Sequence, residues 1–155
     1  MVSSISTSLA RFALAFFIIT CVFGIVGMLI SQSGYAMLNQ FLSFSVLFPY
    51  MVSFYLATQH FIKKFNTTPQ GKQRWLFSFG CLGIFWLYTF ISVVIGTWVS
   101  DAQINVQELQ AALSSPLFIM IFLPVILFFN LLLLFLGYAF LGKPAQIMLK
   151  HDQSN

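Results

Sequence analysis

Long apolar runs separated by short polar segments organise this chain. After Arg11 no charged residue occurs until Lys63. A single helix from Phe12 to Ile62 would be roughly 75 Å long at ~1.5 Å per residue, far more than a ~30 Å hydrocarbon core, so the stretch must turn back once. The polar break is Ser31-Gln32-Ser33-Gly34, with Asn39-Gln40 shortly after. It predicts one span near 12–31 and a second near 41–62. Lys63 to Arg74 is a polar loop in which Pro69 and Gly71 act as breakers. A third span is predicted near 75–99 and a fourth near 116–142, with a polar stretch between them and a short tail after Lys143-Pro144.

These runs must be helices or barrel strands, because lipid leaves no partner for an open backbone. Barrel strands are only about 10 residues long and alternate apolar with polar. No such alternation is present, so the predicted fold is an all-α integral membrane domain. It is a single four-helix antiparallel bundle over residues 1–155. The outer segment between the third and fourth spans has its own period. Ala102, Val106, Leu109 and Leu113 repeat at helical spacing after Asp101, a plausible N-cap, and predict a short amphipathic helix on the membrane surface. Ser115-Pro116 has the form of an N-cap and first helical position for span four. Trp75 and Trp98 bracket span three as interfacial aromatics do.

Composition strengthens the membrane reading. Charged residues make up 6% of the chain, against roughly 25% in soluble domains, too few to keep a folded surface in water. Cys21 and Cys81 both lie in apolar runs, so no disulfide framework is expected outside the membrane. The first apolar run is longer than the 7–15 residues of a signal-peptide core. Gly34-Tyr35-Ala36 is a weak cleavage match and Ile18-Ile19-Thr20-Cys21 a poor lipoprotein signal, so the segment is expected to stay as a span.

Charge sets the expected orientation. The seven basic residues are Arg11, Lys63, Lys64, Lys72, Arg74, Lys143 and Lys150, and all fall on one side of a four-span map. The loops on the other side carry Asp101 and Glu108 and no Lys or Arg. Basic residues are retained in the cytoplasm during insertion, so both termini are expected there, in a bacterial inner (cytoplasmic) membrane. The Asn66-Thr67-Thr68 sequon then faces the cytoplasm and is a chance match. Lys63, Lys64, Lys72 and Arg74 form a basic loop expected to contact anionic phospholipid headgroups, at roughly 1 kcal/mol per charge. Seven basic residues spread over several short segments do not form a nucleic-acid surface.

No Asp, Glu, Lys or Arg lies inside a predicted span. Coupled transporters usually carry an ionisable residue there. Four-span classes that work through an embedded Glu, an outer-surface Cys pair or charged residues within the bundle lack those residues here. His60, three residues before Lys63, is a candidate interfacial switch, although an interfacial His bonded to lipid or water is the plainer reading. Weakly polar residues form heptad stripes: Ser43, Val46, Tyr50, Ser53, Ala57 and His60 in span two; Ser78, Cys81, Phe85, Tyr88, Ser92 and Ile95 in span three; Ala13, Phe17, Thr20, Gly24, Gly27 and Ser31 in span one. Such stripes glue membrane bundles. Asn130 stands near the middle of span four, at a depth similar to Thr20, Tyr50, Tyr88 and Thr89. Together they predict a midplane polar layer, with Asn130 bonded to Tyr50 or Tyr88. Pro49 and Pro124 are placed to loosen the helices beside it.

The stretch His60-Phe61-Ile62-Lys63-Lys64, then Thr68-Pro69, then Arg74-Trp75 before a new span, resembles a family of small, uncharacterised four-span inner-membrane proteins of Gram-negative bacteria. The resemblance covers the region around the basic loop. It implies the four-span fold and the inner-membrane location, and it brings no activity with it.

The function expected is that of a non-enzymatic structural, assembly or accessory membrane module. No cofactor, metal or catalytic residue is expected. The partners expected are the bilayer and a membrane protein or further copies of the chain. The alternative is the protomer of a small oligomeric transporter or channel with a neutral polar midplane site. A lipid-modifying enzyme is disfavoured, because the four-span map puts His60 and His151 across the membrane from Asp101 and Glu108.

Overall fold

The structure, a computed structural model, describes residues 2–32, 47–99, 114–116 and 118–153. Among them there is no strand. Helix α1 is Val2–Gln32, α2 Leu47–Phe65, α3 Lys72–Val99, α4 Leu123–Phe140 and α5 Lys143–Gln153, with a π-helical turn at Phe118–Phe122 ahead of α4. Three stretches are long and apolar enough to cross a membrane: Ile5–Gly27, Lys72–Gly96 and Phe118–His151. They mark a helical membrane protein. Helix α2 is not among them, because its second half carries Thr58, Gln59, His60, Lys63 and Lys64. The span predicted at 41–62 is described only from Leu47 onward. The amphipathic helix predicted after Asp101 lies outside the described residues.

Several boundaries follow from local chemistry. Lys63 and Lys64 sit in the last turn of α2, where cations oppose the negative end of the helix dipole. Asn66 then takes a left-handed conformation (φ 50°) and its N–H bonds the Ile62 carbonyl at 2.8 Å, satisfying a carbonyl left open by the helix end. Gly71 (φ 47°) turns the chain into α3, and the Gln73 side chain accepts the Gln70 N–H at 3.3 Å. Ser115 acts as the cap predicted for it: its Oγ accepts the Phe118 N–H at 3.2 Å. Pro124 has no N–H and its ring crowds the carbonyl four residues back. The π turn directly before it widens the helix where that clash would fall. The segment after span four is not an irregular tail: α5 runs from Lys143, with Pro144 in its first turn, where no N–H is required.

The chain divides into two compact units, Met1–Cys81 with Gly137–Asn155, and Leu82–Leu136. Among the described residues the first holds most of the buried side chains. Its core is aromatic. Tyr50, 1% exposed, meets the Phe12 ring edge-on at 5.5 Å and stacks on Phe54 at 6.1 Å. Phe54 in turn meets Phe77 at 5.4 Å and Phe140 at 5.9 Å, both edge-to-face. Offset and T-shaped pairs of this kind add about 0.5–1.5 kcal/mol each beyond the area they cover. Gly137 lets α4 approach: a Cβ there would lie 3.1 Å from Ser78 Oγ and 3.2 Å from the Phe54 ring.

The packing face of α1 differs from the predicted stripe. Ile5, Ser8, Phe12 and Phe16 are buried, whereas Phe17 points out. Phe12 meets Tyr50 of α2 edge-on at 5.5 Å, so on this face α1 contributes large rings rather than small residues.

Candidate functional site

The residues predicted to form a midplane layer do not share one compact unit. Thr20 and Tyr50 belong to the first, Tyr88, Thr89 and Asn130 to the second. Each is therefore described where it stands.

In the first unit Thr20 donates its hydroxyl to the Phe16 carbonyl of its own helix at 2.7 Å. This i to i−4 bond satisfies the hydroxyl without a second helix. Thr58, buried in α2, does the same to Phe54 at 2.8 Å. Tyr50 is enclosed by the aromatic core described above. Ser53 and Ser78 are buried beside it, and neither hydroxyl has a hydrogen-bond partner among the described residues.

In the second unit Thr89 donates to the Phe85 carbonyl at 2.9 Å, again within its own helix. Asn130 is the polar centre. Its Oδ1 accepts the indole N–H of Trp86 at 2.6 Å, and its Nδ2 donates to the Ile126 carbonyl at 2.7 Å. The bond therefore joins α3 to α4, but through Trp86, a residue the sequence pattern did not select. A Trp in a membrane segment invites an interfacial assignment. Its N–H is equally in need of an acceptor at depth, and the Asn130 amide supplies one. Half of the amide's capacity is met by these two bonds, one acceptor position by Trp86 and one donor by the Ile126 carbonyl.

This pair carries a measurable coupling. Interhelical hydrogen bonds in membranes average about 0.6 kcal/mol and reach about 2. Asn130→Leu and Trp86→Phe should each lower thermal stability slightly, and the double variant should lose no more than the larger single loss. Additive losses in the double-mutant cycle would show that the two side chains do not interact.

Near the basic loop the predicted headgroup residues divide. Lys63, Lys64 and Lys72 are exposed. Arg74 is half-buried and engaged: its Nε donates to the Pro69 carbonyl at 2.9 Å, and its guanidinium lies 5.8 Å from the Tyr138 ring centre. Trp75 packs on the same ring at 4.7 Å. Arg74 thus closes the loop onto α4, a role that its position in a basic cluster did not reveal. His60 is half-buried on α2, within electrostatic reach of Arg11 and Lys64. Among the described residues no three of His, Cys, Asp and Glu come together in a way that could hold a metal ion.

No protein-family model, curated protein or solved structure matches this chain.

Proposed function

We propose that this chain is a non-enzymatic, four-span structural or accessory module of a bacterial inner membrane, with both termini in the cytoplasm. The observation that carries the reading is chemical. The predicted spans 12–31, 41–62, 75–99 and 116–142 contain no Asp, Glu, Lys or Arg, so no strong acid or base is available at depth to change charge during a transport cycle. The most polar group there, the Asn130 amide, is engaged by Trp86 and Ile126. The span added to the three apolar stretches in this reading is the second, 41–62, of which α2 supplies the cytoplasmic part. The seven-to-none distribution of basic residues supports the orientation. The bilayer itself and a membrane-protein partner or a second copy are the natural counterparts of such a module.

Reconstitution tests it. Purified protein in vesicles under imposed pH and salt gradients should give no flux above empty vesicles. Flux that disappears in the Asn130→Leu variant would replace this reading with that of an oligomeric channel or transporter.

A further inference from the structure

A groove of ≈ 500 Å³ runs between α2 and α5 in the first unit. Helix α2 supplies Tyr55, Gln59, Ile62 and Lys63, and α5 supplies Ile147, Met148 and His151. Tyr55, Gln59 and Lys63 are spaced by four, so they line one face of α2 in file. Along that file the chemistry changes in one direction. Lys63 stands at the polar end, and Tyr55 lies about 12 Å deeper at ~1.5 Å per residue.

Across the groove α5 matches this gradient. His151 offers at least one ring N–H in either protonation state. Ile147 and Met148 are apolar, and Ile147 is 68% exposed although Lys143 and Lys150 flank its face of the helix. A branched aliphatic side chain held outward between lysines suits a membrane interface, with the lysine stems lying along lipid and their heads in the headgroup layer. No residue lining the groove is acidic.

We propose that this groove is a binding site for one anionic phospholipid. The phosphate sits between Lys63 and His151, Gln59 bonds the glycerol ester region, and an acyl chain follows Tyr55, Ile62 and Met148 toward the hydrocarbon. The proposal rests on the membrane reading above, in that the basic end of α2 lies at headgroup depth, but it does not depend on which side of the membrane that is. The volume falls within the ~300–1,000 Å³ of ordinary small-ligand sites, enough for a headgroup and its glycerol. A lipid occupant is favoured over a free anion because Ile62, Ile147 and Met148 line the groove beside Lys63 and His151, and a free phosphate would leave that apolar surface unused. A second groove of ≈ 570 Å³, lined by Ile5, Thr68, Lys72, Gln73 and Leu76 among others, contains one cation and serves as the internal control.

The test uses the full chain, purified in mild detergent and observed by native mass spectrometry. Phosphatidylglycerol, phosphatidylcholine or inorganic phosphate is added in turn. One phosphatidylglycerol should be retained in preference to phosphatidylcholine. Lys63→Gln with His151→Gln should lower its occupancy roughly tenfold or more, as expected for losing two favourable contacts to one anion. Gln70→Ala, in the second groove, should leave it unchanged, and Lys63→Arg should retain it. Equal retention of the two lipids, or undiminished retention by the double variant, would overturn the site. Displacement of phosphatidylglycerol by millimolar inorganic phosphate would overturn the lipid assignment in favour of a free-anion site. Because orientation does not enter this measurement, an error in the proposed topology would leave its outcome interpretable.

Discussion

Phe54→Ala should be the most damaging single truncation in the described structure, lowering stability by about 3–5 kcal/mol. Phe54 is 2% exposed and touches three other rings, those of Tyr50, Phe77 and Phe140, from three different helices or helix turns. In lipid, burial against a neighbouring helix brings little hydrophobic gain, because lipid tails are as apolar as the protein interior. The loss on truncation is therefore mostly of packing contacts, and a dry cavity forfeits them outright. Phe90→Ala, on an exposed face of α3, should lose far less, since lipid fills the space. The comparison is made by thermal unfolding in detergent. Equal losses at Phe54 and Phe90 would show that the aromatic core is not what holds the helices together.

Gly137→Val is expected to have the next largest effect. Even a bare Cβ would crowd Ser78 and the Phe54 ring, and the two further methyl groups have nowhere to go without moving α4. Overpacking of this kind costs typically 1–3 kcal/mol. The contrast lies in Gly24 and Gly83, where an added Cβ meets nothing within 4 Å. Alanine there should be neutral or stabilising by up to about 1 kcal/mol, through better helix propensity. A Gly137→Val protein as stable as the parent, with unaltered oligomeric behaviour, would mean that α4 does not pack as described.

Much of this architecture was legible in the sequence, and particular residues show where legibility stopped. Uninterrupted apolar runs announced the long helices, because no other backbone survives in lipid. Tyr50, Ser53 and Ala57 on α2 stepped at helical spacing and are buried, as are Ser78, Cys81 and Phe85 on α3. The α3 stripe does not continue inward: Ser92 and Ile95 are exposed. Periodicity gives the angular position of a face but says nothing of how far along a helix the packing extends. On α1 the face was displaced by one residue, since a rule favouring small residues selects Phe17 and Thr20. The buried face carries rings instead, with Phe12 against Tyr50 of α2 and Phe16 stacked on Phe12.

The candidate site was harder to see. Asn130 was evident as a lone amide in an apolar run, but its partner Trp86 lies 44 positions away and carries no polar signature at its own position. Arg74 counted as one cation among four, whereas only tertiary contact with Tyr138 and Pro69 reveals its structural role. The α2–α5 groove depended on α5 being a helix, and Lys143–Gln153 is short and polar overall, so a pattern of long apolar runs does not announce it.

The most direct test of the account is cysteine accessibility in intact cells. The free Cys21 and Cys81 are first replaced by alanine. Single cysteines are then placed at Ser33, Gln70, Gln107 or Ser154 and treated with a membrane-impermeant thiol reagent. The proposed four-span topology predicts labelling at positions 33 and 107 only, with positions 70 and 154 reacting only after the membrane is opened. Labelling at position 70 in intact cells would contradict it.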